Sequence, residues 1–164
     1  MNELLSSISA VPLLNYLITF AVSMLPVVEL RGGIPLGVSL GLNHWVSMIL
    51  CIIGNLVPVP FIILFIRRIL DWLQGKSARL ARLVQKLEAK ADSPKAKKIY
   101  KSEVLGLILF VAIPLPGTGA WTGALIASLL GIRIKTALPA IAAGVVIAGF
   151  LITGITFGFT EIFT

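Results

Sequence analysis

Two long apolar runs are each interrupted near the centre, the first at "LPVVELRGGIP" (residues 25–35) and the second at "IPLPGTGAWTG" (residues 113–123). Proline removes a backbone donor and collides with the preceding turn, and glycine loosens what remains, so neither run continues as one helix through its break. In hydrocarbon the N–H and C=O groups freed at such a break are too costly to leave bare, so protein or enclosed water has to surround them. That requirement removes most of the folds otherwise open to the chain.

Composition identifies the solvent as lipid. Of 164 residues, 57% are hydrophobic and 13% charged, and the mean hydropathy is +1.01, well above that of soluble domains. A chain of this length suits one membrane domain, 1–164, with no appended soluble unit. Four apolar blocks span about 11–40, 45–66, 104–131 and 138–160. Blocks two and four carry no charge, and each has about the 20 residues that cross a hydrocarbon core. The second contains Gly54, Asn55, Pro58 and Pro60, which predict a kink. The start, "MNELLSSISAVPLLNYLITF", lacks a positive n-region and reads as a retained segment rather than a signal peptide.

Sliding the chain on itself by 90 residues superposes the two breaks. Leu25-Pro26 falls on Leu115-Pro116, Gly33 on Gly123, Gly41 on Gly131 and Gly54 on Gly144. Interrupted segments at corresponding positions of two halves are what an internally duplicated transporter shows. Eleven of the 14 Lys and Arg residues lie between Arg67 and Lys101, and the turn "GIRIKT" adds Arg133 and Lys135, whereas "GLNHW" has neither residue type. The positive-inside rule then places the 67–103 loop and the second turn in the cytoplasm and the first turn outside. The expected fold is all-α and integral to the membrane, an inverted repeat of two opposed re-entrant helical hairpins, each followed by a transmembrane helix. Repeat one covers 11–66 (hairpin 11–42, span 45–66) and repeat two 104–160 (hairpin 104–131, span 138–160). A full span over 11–28 is the alternative.

Within the basic loop, "ARLARLVQKLEAK" puts Leu80, Leu83, Val84 and Leu87 on one helical face, suited to the inner leaflet and its anionic lipid. "DSPKAKK" reads as a helix start, with Ser93 as N-cap and Pro94 in the first helical position.

Glu29 and Arg31 are the only charges between Glu3 and Arg67. An ionised group near mid-bilayer costs at least about 2.5–3.5 kcal/mol, so both are expected to face inward at the first break. One reading is an internal ion pair that holds the hairpin in shape. The other is functional: Glu29 exchanges a proton or cation, as carboxylates withdrawn from water can, and Arg31 holds an anionic group. Around them, Gly32, Gly33, Pro35, Pro116, Gly117, Thr118, Gly119, Trp121 and Thr122 supply freed backbone, hydroxyls and the N-termini of half-helices, which favour anions. Asn55 is expected to satisfy a freed carbonyl or to join this site. His44 has no second His, Asp or Glu nearby, and Cys51 is the single cysteine, so no metal site, cofactor or disulfide is expected.

"ELRGGIP" followed much later by "PLPGTGAWTG" resembles the small multidrug export protein family, usually placed in the wider DedA superfamily, over roughly residues 20–160. The resemblance implies opposed re-entrant hairpins, proton-dependent transport, and essential intramembrane acidic and arginine residues, roles that by position fall to Glu29 and Arg31. Lipid-carrier phosphate is the substrate attributed to some DedA relatives. This chain lacks further membrane-embedded acids and the arginine motif of the second half. The expectation is a small secondary transporter of the cytoplasmic membrane, proton-coupled and homo-oligomeric, moving an anionic lipid phosphate or exporting a small amphipathic compound. A non-transporting scaffold that recruits partners through its basic loop is the rival. No nucleophile, base and orienter converge, which argues against an enzyme.

Overall fold

The breaks divide the chain into short and long helices. The computed structural model describes residues 12–76, 94–115 and 117–163. These form seven helices: α1 (Leu13–Ser23), α2 (Glu29–Ser39), α3 (His44–Leu56), α4 (Pro58–Lys76), α5 (Pro94–Ala112), α6 (Ala120–Leu129) and α7 (Ile134–Phe163). The leucine-face segment, 77–93, lies outside the described residues, as do Ser93 and Pro116. Helix α5 begins at Pro94 and continues without interruption to Ala112.

Length separates spanning helices from partial ones. The stretches His44–Ile69 and Ile134–Gly158 are each long and apolar enough to cross a membrane. The first is made of α3 and α4, which meet at a bend on Val57, where Pro58 cannot donate to the preceding turn. By contrast α1, α2 and α6 have 11, 11 and 10 residues, and the apolar part of α5 is Ser102–Ala112. At about 1.5 Å per residue these reach about half of a hydrocarbon core of about 30 Å.

The ends of the molecule follow from contacts. The His44 ring meets Phe157 edge-on at 5.2 Å, and Trp45 meets Phe150 at 6.4 Å. A side chain on Gly149 would press on Ile52 and Met48. At the opposite end the Arg67 guanidinium donates to the Ile132 carbonyl, beside Arg133 and Lys135. Thus α7 runs antiparallel to α3–α4, with the uncharged α2–α3 turn at one end and the basic α6–α7 turn at the other.

Those two turns have the same hydrogen bonds 90 residues apart. In the first, Leu40, Gly41 and Leu42 donate to Leu36, Val38 and Gly37; in the second, Leu130, Gly131 and Ile132 donate to Ile126, Ser128 and Ala127. Gly41 (φ 89°) and Gly131 (φ 69°) take the left-handed conformation that closes each helix. Asn43 then caps α3 by accepting from the Trp45 N–H at 2.9 Å. The apolar core lies where α2, α3, α6 and α7 meet, around Leu30, Ile34, Ala124, Ile141 and Val145, all buried.

Candidate functional site

The two breaks meet at the centre, each satisfying the other. Glu29, 4% exposed, opens α2 and also reaches the start of α6, where the Trp121 N–H donates to its Oε1 at 3.2 Å. The carboxylate therefore sits at the positive ends of two short helices. Gly119, just before α6, has φ 151° and ψ −172°, a region open in practice only to glycine. A Cβ there would land on the Glu29 carboxylate, so the missing side chain is what lets the acid approach. Glu29 itself has φ 49°, the only non-glycine at positive φ among the described residues, a conformation costing about 1–3 kcal/mol.

Arg31, half-buried two residues further on, serves the opposite pole. Its guanidinium donates to the carbonyls of Leu115 and, at 3.2 Å, Ile113, and to Thr118 Oγ1 at 2.8 Å. These carbonyls lie just past the end of α5, where each also accepts a backbone N–H, Ile113 from Leu115 and Leu115 from Thr118, and a cation beside a helix C-terminus complements the negative dipole end. The Thr118 hydroxyl lies 2.6 Å from the Ile113 carbonyl and 2.8 Å from that of Leu115, closing the loop. Trp121 completes the junction by donating from Nε1 to the Met24 carbonyl at 3.0 Å, which ties the second break back to the first.

Of the residues singled out in the sequence, Glu29, Arg31, Thr118, Gly119 and Trp121 meet here. Arg31 directs its fork to the second break rather than to Glu29, in place of the simple ion pair considered above. Gly117 (φ 82°) turns the loop with open space around it. Gly32 is crowded by Val28 of its own turn, and Gly33 packs on Cys51 and Ser23. Pro35 is exposed within α2, and Thr122 is half-buried on α6. The Asn55 side chain approaches the Glu29 carboxylate as a hydrogen-bonding neighbour, but neither its Oδ1 nor its Nδ2 reaches full hydrogen-bond geometry with any partner. It does not satisfy a freed carbonyl. The carbonyls of Met24, Ile113 and Leu115 are participants that sequence reasoning could not name, because backbone acceptors carry no residue signature.

Beside the junction, between α4 and α6, runs a groove of about 1180 Å³ with walls formed by Val57, Phe61 and Phe65. Trp121 lines it at the junction end, and Arg67 and Arg68 line it at the basic end. Among the described residues no group of three His, Cys, Asp or Glu side chains could hold a metal ion.

These features define a small all-helical membrane protein with opposite charges enclosed where two interrupted segments meet. The chain belongs to the family described as "Putative small multi-drug export protein", which matches residues 29–151 and so takes in the first break from Glu29 onward, the whole second break and the turn after each. That description is of a transporter rather than an enzyme. No curated protein and no solved structure matches the chain.

Proposed function

We infer that the protein is a proton-coupled secondary transporter of the cytoplasmic membrane, and that its substrate is an amphiphile with an anionic head, such as a lipid phosphate. The observation that carries this reading is the groove, whose aromatic and aliphatic walls lead from Trp121 at the junction to Arg67 and Arg68 at the basic end. An apolar tail matches the walls, and guanidinium groups match phosphate or carboxylate. In this reading α1–α2 and α5–α6 are re-entrant hairpins entering from opposite faces, an inverted repeat whose tips meet at mid-membrane. The basic end, continuous with the 67–103 loop, faces the cytoplasm.

Glu29 couples the two. As a carboxylate it accepts a charge-assisted bond from α6 and offsets that helix's positive end. Protonation removes the charge and weakens that hold, so the tip of the second hairpin can part from the first. Arg31, permanently charged, keeps the α5 end anchored meanwhile. Gly117 and Gly119, on either side of the anchored Thr118, give the tip its freedom to move.

The test is head-group exposure of a polyprenyl phosphate in proteoliposomes under an imposed pH gradient. Wild type is expected to expose the head group with the gradient, Glu29→Gln to lose the gradient dependence, and Arg68→Ala to need several-fold more substrate. Movement of a cationic amphiphile in place of the phosphate would overturn the assignment of an anionic head. Failure to move either, in folded protein whose cellular role depends on loop charge but not on Glu29, would favour the scaffold.

A further inference from the structure

Three helices of the first half present aligned faces of unusual composition. On α1, Asn15, Thr19 and Ser23 recur at every fourth position; on α3, Ser47, Cys51 and Asn55 do the same; between them α2 presents Glu29, Gly33 and Gly37. Residues four apart lie on one side of a helix, and contacts show that the three sides meet. A Cβ on Gly37 would lie 2.6 Å from Ser47 Oγ and 2.8 Å from Thr19 Cγ2. One turn on, a Cβ on Gly33 would lie 2.8 Å from Cys51 Sγ and 3.1 Å from Ser23 Cβ. Another turn on are Glu29 and Asn55. The other end of the series is Asn15, half-buried, whose amide donates to the Leu40 carbonyl in the α2–α3 turn at 2.9 Å.

This polar seam is incompletely satisfied. Thr19 and Ser23 return their hydroxyl protons to their own helix, at 2.8 Å to Asn15 O and 2.6 Å to Phe20 O. Ser47 Oγ and both amide atoms of Asn55 have no partner, although both residues are 0% exposed. Each such atom, if it stayed dry, would have given up its bonds to water with nothing in return. Buried polar groups of this kind are the usual partners of internal water, which takes two to four hydrogen bonds.

The second half supplies a built-in comparison. At an offset of 90, Gly33 and Gly37 become Gly123 and Ala127, and Ser47, Cys51 and Asn55 become Ala137, Ile141 and Val145, all buried. On the first arm the offset is 88, since Ser23 packs on Gly33 and Gly54 as Val111 packs on Gly123 and Gly144. Thr19 and Ser23 thus become Leu107 and Val111, while Asn15, at the mouth, becomes the half-buried Glu103. Inward of that mouth, the same backbone arrangement is lined with polar groups in one half and sealed with aliphatic ones in the other.

We propose that the α1–α2–α3 seam is hydrated and admits water, and with it protons, from the α2–α3 turn to Glu29, while the matching seam of the second half is dry. Glu29 is then reached from one end only. It is faced by Arg31 from its own helix, by Asn55 from α3, and by the N–H groups of Ala120 and Trp121 from α6. A proton arriving along the seam binds the carboxylate and frees it from α6. The coupling step rests on the reading of Glu29 given above; the hydration does not.

Hydroxyl-radical footprinting by brief X-ray radiolysis tests the seam, because radicals formed from enclosed water oxidise the nearest side chain even when bulk solvent cannot reach it. The lone Cys51 lies midway along the seam. It is expected to oxidise at least several-fold faster than the thiol of the Cys51→Ser, Ile141→Cys variant, which occupies the matching place in the second half. Equal or slower oxidation of Cys51 overturns the proposal, whatever Glu29 does in transport. Thr19→Val with Ser47→Ala should lower Cys51 oxidation and slow gradient-driven transport several-fold in protein of wild-type elution and helicity; unchanged oxidation would also overturn it. Fast Cys51 oxidation together with transport that ignores both the gradient and Glu29→Gln supports the hydrated seam and rejects the coupling role.

Discussion

At the scale of single residues, the central finding is an exchange of charges between breaks: Glu29 serves the start of α6 and Arg31 the end of α5. Each charge is thereby placed where a helix dipole favours it. Gly119→Ala should be among the most damaging small substitutions, because it combines a glycine-only conformation with a Cβ lodged in the Glu29 carboxylate. A loss of about 2–4 kcal/mol, the backbone penalty plus displacement of a buried charge, is expected in denaturant unfolding in detergent. Gly117→Ala, at φ 82° with open space around it, should lose only about 1–2 kcal/mol. Arg31→Lys tests the fork. A point charge cannot hold Leu115 O, Ile113 O and Thr118 Oγ1 together, so the lysine variant is expected to lose about 1.5–3 kcal/mol in the same assay, the worth of a bond to a charged group, and Arg31→Met, which keeps none, to lose more.

At the scale of elements, small residues set how closely the short helices approach the spanning ones. A Cβ on Gly54 would strike Ser23 Oγ and lie 2.7 Å from the Phe20 carbonyl, and one on Gly144 would lie 2.7 Å from Val111 Cβ and 2.8 Å from the Ile108 carbonyl. Because backbone cannot yield as a side chain can, Gly54→Ala and Gly144→Ala should each destabilise by about 1–3 kcal/mol. Gly154→Ala, also inside a long helix but with nothing within 4 Å, should be neutral or gain up to about 1 kcal/mol from helix propensity; thermal unfolding of the three variants side by side checks the ordering. Much at this scale was legible in the sequence: the two interruptions, the glycines 90 residues apart and the spanning blocks all came from local chemistry. The polar seam was not, because Asn15, Thr19 and Ser23 are individually ordinary residues for a membrane helix. They gain meaning only when α3 brings Ser47, Cys51 and Asn55 against them. Nor could the partner of Arg31 be read from residue types, since its acceptors are mainly carbonyl groups 82 and 84 residues away.

At the scale of the whole molecule, the charge pattern and the packing define the same two ends by independent routes. Arg67 donates to the Ile132 carbonyl in the turn that also carries Arg133 and Lys135, while the α2–α3 turn, beside His44 and Phe157, carries no Lys or Arg. Helix length adds a third constraint, since α1, α2 and α6, at 11, 11 and 10 residues, are each too short to cross a hydrocarbon core alone. If the hairpins enter from opposite faces, residues at the two turns must be reached from opposite sides of the bilayer. Ser39 and Lys135 are exposed and lie at the two turns, and neither contributes to the junction. In a Cys51→Ser background, Ser39→Cys should react with a membrane-impermeant maleimide added outside intact cells, and Lys135→Cys only after the inner face is opened. Both thiols reacting from the same side would be incompatible with opposed hairpins, and would require one short arm to cross a core about twice its length. Reaction of both from opposite sides but in the reverse sense would keep the architecture and invert its orientation, putting the basic end outside against the charge rule.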